Sequence, residues 1–246
     1  MTHALSYDTD GGAGSRARFG LIVLSTDETL EVEARGVMAH DGIGLYHARI
    51  PAHALVTPET LREMEAHLPD TAGRLPAGLD AIGYACTSAA TVIGPDRVAE
   101  LVQSRHPDAL VTNPITAVIA ALQALDAKRI ALVTPYVAEV NAPIRAKLVE
   151  AGIACVDERS FLQKEDWTVA RISEASTLDA LIAAGAAGAD AVFASCTNLR
   201  SFNVLKKAEG LIGCPVVTSN QALLWHMLKL AKVEARGWGP GRLFDL

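Results

Sequence analysis

The chain has 246 residues, of which 50% are hydrophobic, 20% charged and only 5% aromatic, and its net charge is −6. An acidic balance without a basic run argues against a nucleic-acid partner. No uninterrupted apolar stretch reaches the ~20 residues that a bilayer-spanning helix needs, so the composition points to a compact α/β protein of one large or two small domains.

Met1 to Arg18 is polar and rich in Gly and Ser. It is expected to be a disordered tail, and it lacks the apolar middle of a signal peptide. A cytoplasmic location is expected, where the four cysteines stay mostly reduced. After the tail, strands are predicted at 19–25, 43–49, 80–85 and 109–112, with helices at 58–74, 95–105 and 114–126. Further strands are predicted at 129–134, 153–157, 190–195 and 215–218, with helices at 137–151, 167–187, 201–209 and 219–231. Strand–helix alternation of this kind builds parallel sheets covered by helices, in which ligands bind beyond the carboxyl ends of the strands.

The chain repeats itself. The strand Phe19–Ser25 matches Arg129–Pro135, and the distance from Ser25 to Cys86 equals that from Pro135 to Cys196, 61 positions in each case. Both strands 80–85 and 190–195 end in Cys-Thr-(Ser/Asn). A third landmark follows in each half, Val111-Thr112-Asn113 and Val217-Thr218-Ser219, and each leads into an apolar helix. Three landmarks in one order indicate two related halves. The predicted fold is therefore two similar parallel-sheet α/β halves, related by a pseudo-twofold, with the site in the cleft between them. The first half spans 19–112 and the second 113–219. The apolar helix in 220–246, with Trp225 and His226, is expected to pack back on the first half.

Cys86 and Cys196 are thus candidates for a pair of thiols in one site. Backbone N–H groups and hydroxyls at a strand-to-helix turn can stabilise a thiolate. Thr87, Ser88, Thr197 and Asn198 are candidate donors to a substrate carboxylate, and Tyr136 to an enolate-like oxygen. Arg49 and Arg200 could also bind acids, although Arg200 could instead pair with the following helix. Cys155 and Cys214 read as small core residues. No Cys-x-x-Cys or His-x-x-x-His pair suggests a metal site.

The motifs Ser25-Thr-Asp-Glu-Thr-Leu-Glu-Val-Glu33, Cys86-Thr-Ser88, Thr134-Pro-Tyr136 with Asn141, Val169-Ala-Arg-Ile172 and Ser195-Cys-Thr-Asn-Leu-Arg200 carry a resemblance. Over residues 19–240 the chain resembles the aspartate/glutamate racemase superfamily, in the branch of maleate cis-trans isomerases and arylmalonate decarboxylases. Within that branch it is similar to the maleate-isomerase-like proteins associated with ectoine utilisation. The resemblance implies cofactor-independent chemistry on a small carboxylic or amino acid, catalytic roles for Cys86 and Cys196, and a homo-oligomer, dimer or tetramer. Decarboxylases of the branch keep only the second cysteine, so the presence of both favours isomerisation or racemisation. A decarboxylase using Cys196 alone, and a non-catalytic metabolite-binding protein, are the alternatives. Where maleate isomerases grip the substrate with two asparagines, this chain has Asp27 and Asp166. Both are expected at the substrate, where they would disfavour a dianion.

Overall fold

The computed structural model describes residues 2–246. In the first sheet, β1 (Ala17–Leu24) lies between β2 (Ile43–Ile50) and β3 (Ala81–Ala85), and β4 (Leu110–Thr112) joins β3. In the second, β5 (Arg129–Tyr136) lies between β6 (Ala154–Gln163) and β7 (Ala191–Ala194), and β8 (Val216–Thr218) joins β7. Every pairing is parallel. The orders β2-β1-β3-β4 and β6-β5-β7-β8 are one arrangement used twice. The inner strands are continuous apolar runs because helices cover both sheet faces; β3 and β7 are buried at every position.

Each half also opens with the same device. The carboxylate of Asp80 accepts from Arg18 N at 2.8 Å, and that of Asp190 accepts from Arg129 N at 2.8 Å. The backbone N–H of each aspartate returns to the carbonyl of the same arginine. Each arginine side chain donates to the carbonyl of a glycine with positive φ, Gly78 or Gly188. Glycine adopts that turn conformation at no steric cost.

The helices between the strands are α1 (Leu30–Met38), α2 (Pro58–Glu63), α3 (Leu68–Ala72), α4 (Thr87–Ile93), α5 (Pro95–Gln103) and α6 (Pro114–Ala124) in the first part of the chain. They continue as α7 (Ala138–Glu150), α8 (Asp166–Val169), α9 (Glu174–Gly185), α10 (Phe202–Ile212) and α11 (Ser219–Leu230). Among the described residues, none is long and apolar enough to cross a membrane. α11 packs against α6, β3 and α1. Its approach to β3 is close because position 83 is glycine: a β-carbon there would stand 2.7 Å from Met227 Sδ. One apolar cluster contains Phe19 and Tyr84 from the first sheet and Leu132 and Phe193 from the second.

All eight predicted strands are present, but β6, expected at 153–157, runs on to Gln163 alongside β5, and several other segments differ from the sequence reading. Ala17 and Arg18, expected in the tail, start β1, because Asp80 fixes the Arg18 backbone. The expected helix 58–74 is α2, a 3-10 turn (Met64–His67) and α3, with Pro69 starting the last piece. The expected helix 167–187 is α8 and α9, separated where Ser173 caps α9 through Ser176 N. Helices α1 and α4 were not predicted.

Candidate active site

β3 and β7 deliver equivalent cysteines to one place. Cys86 is the N-cap of α4, and its sulfur accepts from Ala89 N at 3.4 Å; the Ser88 hydroxyl lies 3.6 Å away. Cys196 follows β7, and its sulfur accepts from Asn198 N at 3.2 Å. Both thiols are free and only 3% exposed, and both line a single cavity together with Ser88, Tyr136, Asp166 and Thr197. The cavity holds about 20 Å³, room for about one water and too little for a substrate. A roomier concavity of about 530 Å³ lies between α11 and the C-terminal segment and contains no thiol.

The roof over the thiols joins the two halves. Leu55 and Glu165 form an antiparallel bridge, Val56 N donates to Lys164 O at 2.8 Å, and Asp166 N donates to Ala54 O at 2.9 Å. Leu55 and Val56, with Leu61 of α2 and Met64 of the 3-10 turn, line the cavity and make that side of it apolar.

The two cysteine loops are also tied to each other. The Ser219 hydroxyl, at the start of α11, accepts from Cys196 N at 3.1 Å and lies 2.8 Å from the Thr87 hydroxyl. Thr197 donates to Ala85 O at 3.3 Å, reaching the strand that carries Cys86. Ser219 was not singled out in the sequence, although it sits in the repeated Val-Thr landmark that pairs with Asn113.

Buried donors and acids set the electrostatics. Burial pushes the Cys86 thiol up to about 12, against the Ala89 N–H and the Ser88 hydroxyl, which favour its anion. Burial also raises Cys196, with Asp166 adding to the rise while the Tyr136 hydroxyl and the Asn198 N–H oppose it. The turn donors expected to stabilise a thiolate are present, but desolvation outweighs them in the closed cavity. Tyr136 lines the cavity with both cysteines and is raised by its own burial and next by the charges of Cys196 and Cys86.

Some predicted substrate-binding residues do not line the cavity. Thr87 turns to Ser219 instead. Asn198 acts as a clamp: Oδ1 accepts from Glu28 N, and Nδ2 donates to Thr26 O and Asp166 O. Asp27 caps α1, with Oδ1 accepting from Thr29 N at 2.8 Å and Leu30 N at 2.9 Å. Its Oδ2 is buried without a hydrogen-bond partner, and the Thr197 hydroxyl, which already donates to Ala85 O, lies close enough to favour the Asp27 anion. The arginines are committed elsewhere: Arg49 to Glu31 and the carbonyls of Leu24, Ser25 and Asp27, and Arg200 to Ile172 O. Cys155 and Cys214 are half-buried and stand apart from the cavity. His226 bonds the Thr112 hydroxyl through Nδ1.

Two α/β halves of one strand order, each contributing a cysteine to a shared cavity, are the architecture of a chain in the maleate isomerase and arylmalonate decarboxylase branch. The family model described as "Arylmalonate decarboxylase" matches residues 19–244, and the chain belongs to that family. It is 29% identical over 238 residues to a maleate isomerase of Nocardia farcinica, covering 92% of this chain and 94% of the relative. A 34% identity to the arylmalonate decarboxylase of Bordetella bronchiseptica extends over 137 residues, 54% of this chain and 57% of that protein. Among solved structures, a cysteine-to-serine mutant of the N. farcinica maleate cis-trans isomerase, with a covalently bound succinylcysteine intermediate, superposes with a TM-score of 0.81 at 28% identity, covering 93% of this chain and 98% of the other.

Proposed function

We propose that this chain is a cofactor-independent isomerase of a small carboxylic or amino acid, with Cys86 and Cys196 as its catalytic residues. The observation that carries the reading is the convergence of two equivalent thiols, with Tyr136 beside both, in one closed cavity. In a cis-trans isomerisation, Cys86 releases its proton to solvent as the substrate enters the open site. Its sulfur then forms a C–S bond to one alkene carbon, and the C=C electron pair takes the proton of Cys196 at the other carbon. Rotation about the new single bond follows. Cys196 takes a proton back, the C–S bond breaks, and the alkene re-forms in the other geometry with the Cys86 thiolate restored. For a saturated acid, the same pair would remove a proton as thiolate and return one as thiol. Ser88 and Tyr136 are the hydroxyl donors for a carboxylate or for the developing enolate oxygen, Thr197 lines the wall beside them with its hydroxyl turned to Ala85 O, and Asp166 is the acid at the substrate. The covalent succinylcysteine in the related isomerase supports the nucleophilic role.

The family's name and the partial match to a decarboxylase favour a second reading, in which Cys196 alone protonates a carbanion left by loss of carbon dioxide. The same variants separate the two. Cys86→Ala and Cys196→Ala should each lower isomerisation at least ~1000-fold while the circular-dichroism spectrum stays native. Full activity of Cys86→Ala, or carbon dioxide release from a malonate, would move the assignment to the lyase. The reading extends to a cytoplasmic enzyme and to a homo-oligomer, supported by sequence resemblance. The link to ectoine utilisation rests on that same resemblance. The division into halves 19–112 and 113–219, with 220–246 returning to the first, is supported by the repeated strand order and the contacts of α11.

A further inference from the structure

The charges around the cavity constrain what can fill it. Of the described residues lining it, none is lysine or arginine, and the only basic side chain, His53, is engaged by Glu63 at 2.8 Å on the exposed rim. The arginines of the surrounding elements do not line the cavity: Arg49 is held by Glu31 and three carbonyls, Arg171 by Glu28 at 2.9 and 3.1 Å, and Arg200 donates to Ile172 O while its buried Nε has no partner. Against this stand two buried acids. Asp166 lines the cavity; Thr26 donates to its Oδ2, and the Asn198 side chain also favours its anion. Asp27, 2% exposed, keeps an unpartnered Oδ2 behind Thr197. A site lined by thiols, hydroxyls and a carboxyl, with no lysine or arginine in its wall, suits one carboxylate, held by the hydroxyls. It meets a second carboxylate with like charge.

We propose that the substrate carries a single carboxylate and, at the end facing Asp166, an N–H donor such as a primary amide or ammonium group. The inference rests on the isomerase reading, since it concerns the same cavity. An N–H aimed at the Asp166 carboxyl would form a charge-assisted hydrogen bond. A dicarboxylate would instead have to bring a proton with it, or force one onto Asp166. The ionised form of Asp166 is already disfavoured, first by burial, and a cationic or N–H-bearing ligand end relieves that cost.

The matched probes are maleamate and maleate, which share the cis double bond and one carboxylate and differ at the other end. Binding of each to the Cys196→Ala variant, measured by calorimetry at one pH, reads the preference without turnover. Maleamate should bind at least about tenfold tighter than maleate. Adding Asp166→Asn, whose amide offers a donor to a carboxylate, should bring the ratio to about one or reverse it. Maleate binding equally or more tightly in the parent, an unchanged ratio in the Asn variant, or no binding of maleamate would each overturn the proposal. If the Asn variant does not fold, the parent ratio alone decides. Conversion of maleamate to fumaramate by the wild type is followed separately. A tenfold binding preference without any turnover would sink the isomerase reading while leaving the donor-end assignment standing.

Discussion

Glu33 governs the site without touching the cavity. It sits on α1, yet its Oε1 accepts from Ser201 N at 2.8 Å and Phe202 N at 3.0 Å, and its Oε2 from Asn220 Nδ2 at 2.7 Å. Asn220 in turn donates to Thr197 O at 2.8 Å, next to Cys196. One carboxyl therefore braces both ends of the loop that carries the second thiol. Burial pushes Glu33 from 4.5 to about 7, against these three donors. The native chain holds this proton more tightly than the unfolded chain does. Below pH 4.5 the group costs nothing; as pH rises toward 7 it works against folding, by about 3 kcal/mol when fully ionised. Thermal melts of wild type and Glu33→Gln between pH 5 and 8 should show the wild type losing stability relative to the variant as pH rises. A gap that stays constant across that range would mean that Glu33 does not titrate there.

At the scale of elements, the contact between α11 and β3 holds the second half's last helix on the first half's sheet. Gly83→Ala would put a β-carbon 2.7 Å from Met227 Sδ, 3.1 Å from Leu21 Cδ2 and 3.2 Å from Leu223 Cδ1. Met227 can give way, but Leu21 lies in the same sheet. Overpacking of this kind costs about 1–3 kcal/mol, to be read as a lower urea midpoint with an unchanged slope; an unchanged midpoint would show that the interface is slack. This contact was not legible in the sequence, where a glycine in a strand only hints at close approach. The strands were legible, because buried parallel strands are unbroken apolar runs. α4 was missed because it is short, carries β-branched Thr91, Val92 and Ile93, and is capped by a cysteine rather than a usual N-cap residue. The thiols could be found because a duplication repeats them at fixed spacing. Glu33 and Ser219 could not, since their partners lie 168 and 132 positions away and leave no local pattern.

The whole molecule is duplicated in its strands but joined in its core. The main apolar cluster draws on both sheets, the roof pairs residues 54–56 with 164–166, and Ser219 links the two cysteine loops. A smaller apolar cluster around Leu181, Val192 and Leu205 lies wholly in the second half, but the main one spans both. Calorimetry should therefore show one cooperative transition, with calorimetric and van't Hoff enthalpies equal. Two resolved transitions would mean that the halves fold as separate units.

The roof has one more consequence. The sulfurs sit in a space with room for about a single water, so the cover that pairs residues 54–56 with 164–166 has to part before any substrate reaches them, and entry to the site is tied to the contact between the two halves.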